Sequence, residues 1–511
     1  MIKKTISVLI LLLFAISGIF AQDFGFGFGF GFDEDDDEEM EAASGSSITF
    51  RSNGEVSVEA SPFFKDFMNK NEPLDNSFWN ARLNLTLSGS SFDIFTNFNF
   101  NAGSINEIWS GSENLKDFNY TPLIIDEAYV RAYFGTVNIE FGFRKLTWGK
   151  ADSAGPLDVT NPVDYTNLIN ITDIRARKIA RPMIHATWNT GSFSKLEGVL
   201  IPNFAGHRFA SDGRWVPSQF SNMVDVAATG IISRAIELNP AAIGLIDLLQ
   251  PSIAGNFQDF SLVFPDTSGL EYFQAGVRYT TTINFSAGSS ADFGFQYYYG
   301  NLFRPSFTID GVDEFLVDLL TGNFLIPGSY FGDLNLLDPK IKYNRYHQIG
   351  IDYAQVLFDF NIRAELALNL TEDLKGDDGS VHNPFIGWSL GFDRSLFWGI
   401  NANFMCNGTI RLFDSKVGDN PVFDAEAGTN ATFTRISLQL SKNFLRDELE
   451  SRMVFIWDIE NKDVYLIPSV TWTSGNLVSE LSAGIFAGDK NGELGQYRDN
   501  SFLRLSLKYM F

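Results

Sequence analysis

Between residues 46 and 511 the chain breaks into about eighteen segments of eight to sixteen residues in which apolar and polar side chains alternate. They fall at 46–60, 78–88, 92–102, 122–134, 137–147, 182–189, 193–202, 270–286 and 291–300. The second half gives 344–354, 356–368, 383–393, 396–411, 430–443, 447–458, 463–473, 476–487 and 500–511. In one of them Leu83, Leu85 and Leu87 oppose Arg82, Asn84 and Thr86. A period of two places such sets on opposite faces of a β-strand. The links constrain the fold further, because short and long ones take turns. Gly89-Ser90, Gly135-Thr136, Thr190–Ser192, Ala287–Ser290, Gln355, Arg394-Ser395, Phe444–Asp447 and Ser474-Gly475 are short. Those between them are long (61–77, 103–121, 148–181, 203–269, 301–343, 369–382, 412–429 and 488–499), with 459–462 the exception. A soluble sandwich has no use for this alternation. It predicts an all-β, single-domain transmembrane antiparallel β-barrel of about 18 strands, with short periplasmic turns, long extracellular loops and both termini in the periplasm.

The last segment carries Leu503, Leu505, Leu507, Tyr509 and Phe511 on one face and Arg504, Ser506 and Lys508 on the other. It resembles the C-terminal signal strand of Gram-negative outer-membrane barrels. The resemblance implies that Tyr509 and Phe511 are read by the barrel-assembly machinery and that this strand closes on the first. Aromatic residues gather near the segment ends, as two interfacial girdles require. Phe134, Trp188, Phe392, Trp398, Trp472 and Phe511 sit near short turns; Trp79, Trp148, Tyr299 and Trp457 sit near long loops.

Ahead of the barrel, Lys3-Lys4, an apolar stretch from Ile6 to Phe20 and Ala21 predict a signal peptide over residues 1–21. Residues 22–45 hold a Phe-Gly alternation and then an acidic run, and predict a low-complexity periplasmic tail. Eight acids between Asp33 and Glu41 supply a third of the formal net charge of −24, which argues against a nucleic-acid partner. The single cysteine, Cys406, rules out an internal disulfide. His185, His207, His347 and His382 show no metal-ligand spacing, and no catalytic constellation is suggested. The expectation is therefore no enzyme, no cofactor and no metal, with outer-membrane lipid and small solutes as partners and a homo-oligomer only by analogy with porins.

Two stretches bear on the interior. A turn at Gly135-Thr136 sets Arg131 opposite Glu140 and Glu127 opposite Arg144, which predicts two ion pairs facing the lumen, each worth well under ~1 kcal/mol if partly solvated. The long link 148–181 has acids at Asp152, Asp158, Asp164 and Asp173, then bases at Arg175, Arg177, Lys178 and Arg181. Pro156 and Pro162 stiffen it, and Leu168, Ile169 and Ile171 give it something to bury. It is the predicted constriction loop, with Asp158, Asp164, Arg175, Arg177 and Lys178 facing solute. The strand end F-G-F-R-K-L-T-W-G-K (Phe141–Lys150), L-D-V-T-N-P-V-D (Leu157–Asp164) and R-K-I-A-R-P-M resemble outer-membrane barrels of the DUF1302 and alginate-export type. That resemblance implies a barrel and says nothing of substrate. Helical patterns are expected over Ile231–Leu249 and Val312–Leu320. The function expected is passive diffusion of small polar solutes, with a transporter for hydrophobic molecules and a surface adhesin as rivals.

Overall fold

The structure is a computed structural model and describes residues 48–69, 77–103, 124–152, 155–210, 213–218, 231, 236, 265–285, 289–321, 338–418, 424 and 426–511. The expected signal peptide, the tail and nearly all of Ile231–Leu249 lie outside the described residues. Eighteen strands form one closed antiparallel sheet. They are β1 Thr49–Ala60, β2 Ser77–Ser88, β3 Phe92–Gly103, β4 Ile125–Phe134, β5 Val137–Arg144 and β6 Arg181–Gly191. Next come β7 Ser194–Ile201, β8 Gln274–Asn284, β9 Ser290–Asn301, β10 Arg345–Leu357, β11 Phe360–Thr371 and β12 Phe385–Ser395. The remainder are β13 Asn401–Arg411, β14 Thr432–Phe444, β15 Leu449–Asp458, β16 Asp463–Ser474, β17 Leu477–Ala487 and β18 Phe502–Met510. Each strand pairs with its sequence neighbours, and β1 pairs with β18 as well as β2, with Val58 opposite Leu507. Closure leaves this 18-stranded sheet without a free edge.

The closing seam uses the last residue of the chain. Phe511 donates its N–H to the Gly54 carbonyl at 2.9 Å, and Gly54 donates back to the Phe511 carbonyl at 2.8 Å. The Phe511 ring lies over Gly54, where a Cβ would collide with it and with the Arg82 carbonyl. An aromatic ring thus covers backbone that a glycine leaves bare.

The two faces of the wall follow the alternation. Val58, Phe141, Ile349 and Leu505 stand exposed on the outside, while Arg278, Gln296, Gln348, Arg363 and Glu365 are buried on the inside. An apolar exterior on a closed barrel is the surface of a bilayer-spanning protein, and barrels of this build are outer-membrane proteins.

Some boundaries differ from expectation. The turn expected at Gln355 lies at Phe358-Asp359, both with positive φ, as a tight two-residue hairpin turn demands. Residues 396–400 form a turn around a 3-10 segment rather than strand, and Leu270–Tyr272 is 3-10 as well. Trp148 leaves the girdle: it is 2% exposed and packs edge-on against Tyr298 over Gly276, inside the wall. The second expected helix is present as Val312–Thr321.

Above the strands, Glu426 is buried between Arg411, His382 and Arg304, at 3.2, 2.8 and 3.3 Å. Burial by itself would raise the Glu426 carboxyl, but Arg304, the His382 hydrogen bond and Arg411 outweigh it and hold the pKa at about 2. His382 is pushed below its ordinary value, by burial first and by Arg304 next. Both shifts have the same sign for stability. Glu426 contributes above its unfolded pKa of about 4.3 and loses that contribution as pH falls toward 2; His382, kept neutral when folded, is penalised once pH drops below about 6.5. Acidification from pH 6.5 should therefore loosen this loop cluster. Limited digestion with an acid protease should show the loss, and Glu426→Gln should flatten its pH dependence. A cleavage rate in the native chain that does not change with pH would contradict the assignment.

Candidate functional site

The link after β5 turns back inside the barrel because its base is stapled. Asn161 accepts the Leu146 N–H at 2.8 Å and donates to the carbonyls of Arg144 and Ile179, both at 2.9 Å. One side chain thus joins the end of β5 to the approach to β6. Thr160 donates to the Leu146 carbonyl at 2.8 Å, and Ile179 N–H bonds the Pro162 carbonyl at 2.8 Å. Both Thr160 and Asn161 belong to the Leu157–Asp164 stretch.

From that base the loop leans on the inner face of β9–β13. Glu365 on β11 accepts the backbone N–H groups of Lys150 and Ala151, the latter at 2.7 Å. Gly149 and Gly155 permit the approach, since a Cβ at either would strike the Glu365 carboxylate. Gln296 on β9 and Gln348 on β10 donate to the carbonyls of Leu157 and Pro156, each at 2.9 Å. Asp152 pairs with Arg363 on β11 and accepts from Asn403 on β13 at 2.7 Å. Every one of these wall groups is polar and inward, so a loop with free backbone groups finds partners there instead of losing them to a dry interior.

The loop's second half reaches the other wall. Leu168 and Ile169 are buried with Tyr465 of β16, Phe486 of β17 and Phe502 of β18, alongside Trp215 and Tyr497. Above it, Asp164-Tyr165 pairs in parallel with Arg208-Phe209, and Val163 N–H bonds Nδ1 of His207 at 3.0 Å. Burial, then Arg177 and Arg304, push His207 down to about 3, which suits a neutral ring accepting that bond.

A cavity of about 540 Å³ remains between the loop and the wall. Its wall side comes from β14, β15, β17, β18 and β1–β3, away from the strands on which the loop's first half leans. The lining has six acids, Glu55, Glu59, Asp152, Asp158, Asp173 and Glu480, and six bases, Arg82, Arg175, Lys178, Arg452, Arg504 and Lys508. Many are cross-linked: Lys508 to Glu55 at 3.0 Å, Arg504 to Glu59 at 2.6 Å and to Glu480 at 3.3 Å, Lys178 to Asp158 at 2.7 Å.

Of the residues singled out in the loop, Asp158, Arg175 and Lys178 line this cavity. Asp164 and Arg177 do not. Asp164 pairs with Arg208 at 3.0 Å, and Arg177 donates to the Asp164 and Ile171 carbonyls with its guanidinium 4.6 Å from the Tyr165 ring. The wall residues Glu55, Arg82 and Arg504 were missed, although their alternation marks them as inward. Tyr509 is exposed on the lipid side of β18, and Phe511 occupies the seam.

The β4–β5 charges form a different pattern from two separate pairs. Arg131 lies opposite Glu140, with Nε 2.6 Å from Oε1. Arg144 turns along its own strand to the same Glu140, while Glu127 accepts the Lys145 backbone N–H at 2.8 Å. His185 Nδ1 also sits 2.7 Å from Glu140, and its Nε2 is 3.4 Å from Glu197. Glu140 is 5% exposed, so the solvated-pair value does not apply to it. Removing its charge takes the shared carboxylate from both guanidinium groups. Glu140→Gln should cost about 3 kcal/mol, the low end for a broken buried pair. Urea unfolding of the variant in detergent measures it, and a loss below about 1 kcal/mol would show a well-hydrated site.

No protein-family model matches this chain, and no curated protein matches it. The resemblance to the DUF1302 and alginate-export barrels therefore gains no support. Solved structures of similar architecture include OpdK of Pseudomonas aeruginosa with vanillate, at TM-score 0.43 and 9% identity, covering 90% of this chain and 98% of that one. A BenF-like porin from Pseudomonas fluorescens matches at 0.43 and 10%, over 90% and 98%. The outer-membrane channel DcaP of Acinetobacter baumannii matches at 0.38 and 9%, over 91% and 98%. At these scores the likenesses carry no argument about solute.

Proposed function

We propose that this protein is a porin-like outer-membrane channel for passive diffusion of small polar solutes, and that the loop between β5 and β6 sets its narrowest section. The observation that carries the reading is the polar, charge-balanced cavity left between that loop and the β14–β3 side of the wall. An 18-strand barrel is too wide for wall side chains alone to fill, so an inward loop decides how much water-filled section remains. The wall contributes four of the six cations and the loop three of the six acids. Opposed charges across a low-dielectric gap focus a transverse field, which aligns dipolar solutes and slows single ions.

A transporter for hydrophobic molecules would need an apolar lining, and the large apolar clusters here are spent on packing the loops. Planar-bilayer recording of the purified protein tests the proposal. Steady, ohmic steps with weak ion preference support it; a nearly closed barrel that does not conduct would sink it.

A further inference from the structure

The turns at the short-link end are not alike around the barrel. Those joining β2–β3, β4–β5 and β16–β17 are built from Gly89, Ser90 and Ser91, from Gly135 and Thr136, and from Gly475 and Asn476. The five consecutive turns from β6 to β15 instead present Phe193, Phe285, Phe358, Phe397, Trp398 and Leu445, all exposed. Phe358 is 90% exposed, Phe397 85% and Trp398 83%. Phe358 and Trp398 also hold positive φ, 51° and 62°, where glycine or asparagine is the usual occupant. The result is an apolar crescent on one side of the periplasmic rim.

Strand-end aromatics such as Phe134, Trp188 and Trp472 lie on both sides of the barrel and suit an interfacial girdle, whereas the residues within the turns are apolar only on this side among the described turns. A second embedded copy does not account for the crescent, since two barrels side by side meet through lipid-facing walls and not through turn tips. The chain itself supplies a matching segment. It enters β1 at Thr49, at this same end, and upstream lie Phe24, Phe26, Phe28, Phe30 and Phe32, separated by single glycines. Drawn out, alternate positions put all five rings on one face. The 17 residues from 33 to 49 can span up to ~55 Å at ~3.3 Å each. Eighteen strands spaced ~4.8 Å apart and tilted ~40° make a barrel only about 36 Å across.

We propose that the Phe-Gly segment docks on the aromatic crescent. Ring-to-ring contact supplies the attachment.

The test places a thiol on the crescent, Trp398→Cys in a Cys406→Ser background, and follows its reaction with a bulky charged maleimide on protein in lipid nanodiscs. A chain lacking residues 24–32, and one with all five phenylalanines changed to Ser, should both label about tenfold faster than the full chain, the factor for a segment docked about nine-tenths of the time. Asn476→Cys, on a polar turn, should label equally in all three. Phe358→Cys serves in the same way where Trp398→Cys assembles poorly. Equal rates with and without the segment overturn the proposal, whether fast, as for a bare crescent, or slow, as for tips bedded in lipid. Labelling does not depend on conduction, so either outcome holds whether or not the barrel proves to be a channel.

Discussion

Replacing Asp152–Ile174 by a short Gly-Ser linker should raise single-channel conductance several-fold and shift ion selectivity. The excised segment contains Pro156 and Leu157, which meet Gln348 and Gln296, and Leu168 and Ile169, which meet the opposite wall. It also removes Asp158 from Lys178 and Asp152 from Arg363, so one loop cation and one wall cation each lose an acid while three loop acids leave the cavity lining. The barrel should survive, because the strand ladders of β5 and β6 pair with each other without the loop. A milder variant gives an independent reading. Glu365→Ala leaves the N–H groups of Lys150 and Ala151 without their acceptor, at a cost of about 2 kcal/mol for buried donors. Its mean conductance should change little, while open-channel noise should rise as the loop lifts from β11. Should both variants insert and record like the parent, the loop does not limit the current, and residues 202–273 become the next candidate.

Deleting Phe511 should remove most of the protein from the outer membrane while export continues. The last residue supplies both hydrogen bonds that tie the C-terminal end of the seam to Gly54, and its ring covers that glycine. Without it β1 presents open backbone groups at the membrane boundary, where each unpaired group costs several kcal/mol. Gly54→Val probes the same spot from the other side, because any Cβ meets the Phe511 ring and the Arg82 carbonyl. Surface protein and heat-modifiable mobility measure both variants. A truncated chain at normal surface level would mean that neither the closing strand nor its reading by the assembly machinery depends on Phe511.

Strand number, strand faces and the ends of most turns were legible in the sequence. Each strand meets water or loops on one side and lipid on the other, so its alternation is a local consequence of two solvents. A tight turn such as Gly135-Thr136 fixes register by itself, which is why Arg131 could be set opposite Glu140 from residue order alone. Where a turn lacked Gly or Asn, as at Phe358-Asp359, the alternation ran on and the boundary was misplaced by three residues.

The interior was decided only by tertiary structure. Glu365 and Lys150 lie 215 positions apart, and nothing periodic links them. Arg144 could equally well reach across to Glu127 or along its strand to Glu140; proximity of Arg131 and His185 to the same carboxylate concentrates the charge at Glu140. His185 carried no spacing signal because its partners come from the strands on either side of it, not from its own. Trp148 has the composition of a girdle residue and lies buried because Gly276 leaves room for its ring. A strand's faces follow from its immediate surroundings, whereas the path of a loop inside a wide barrel depends on which distant side chains can satisfy its backbone.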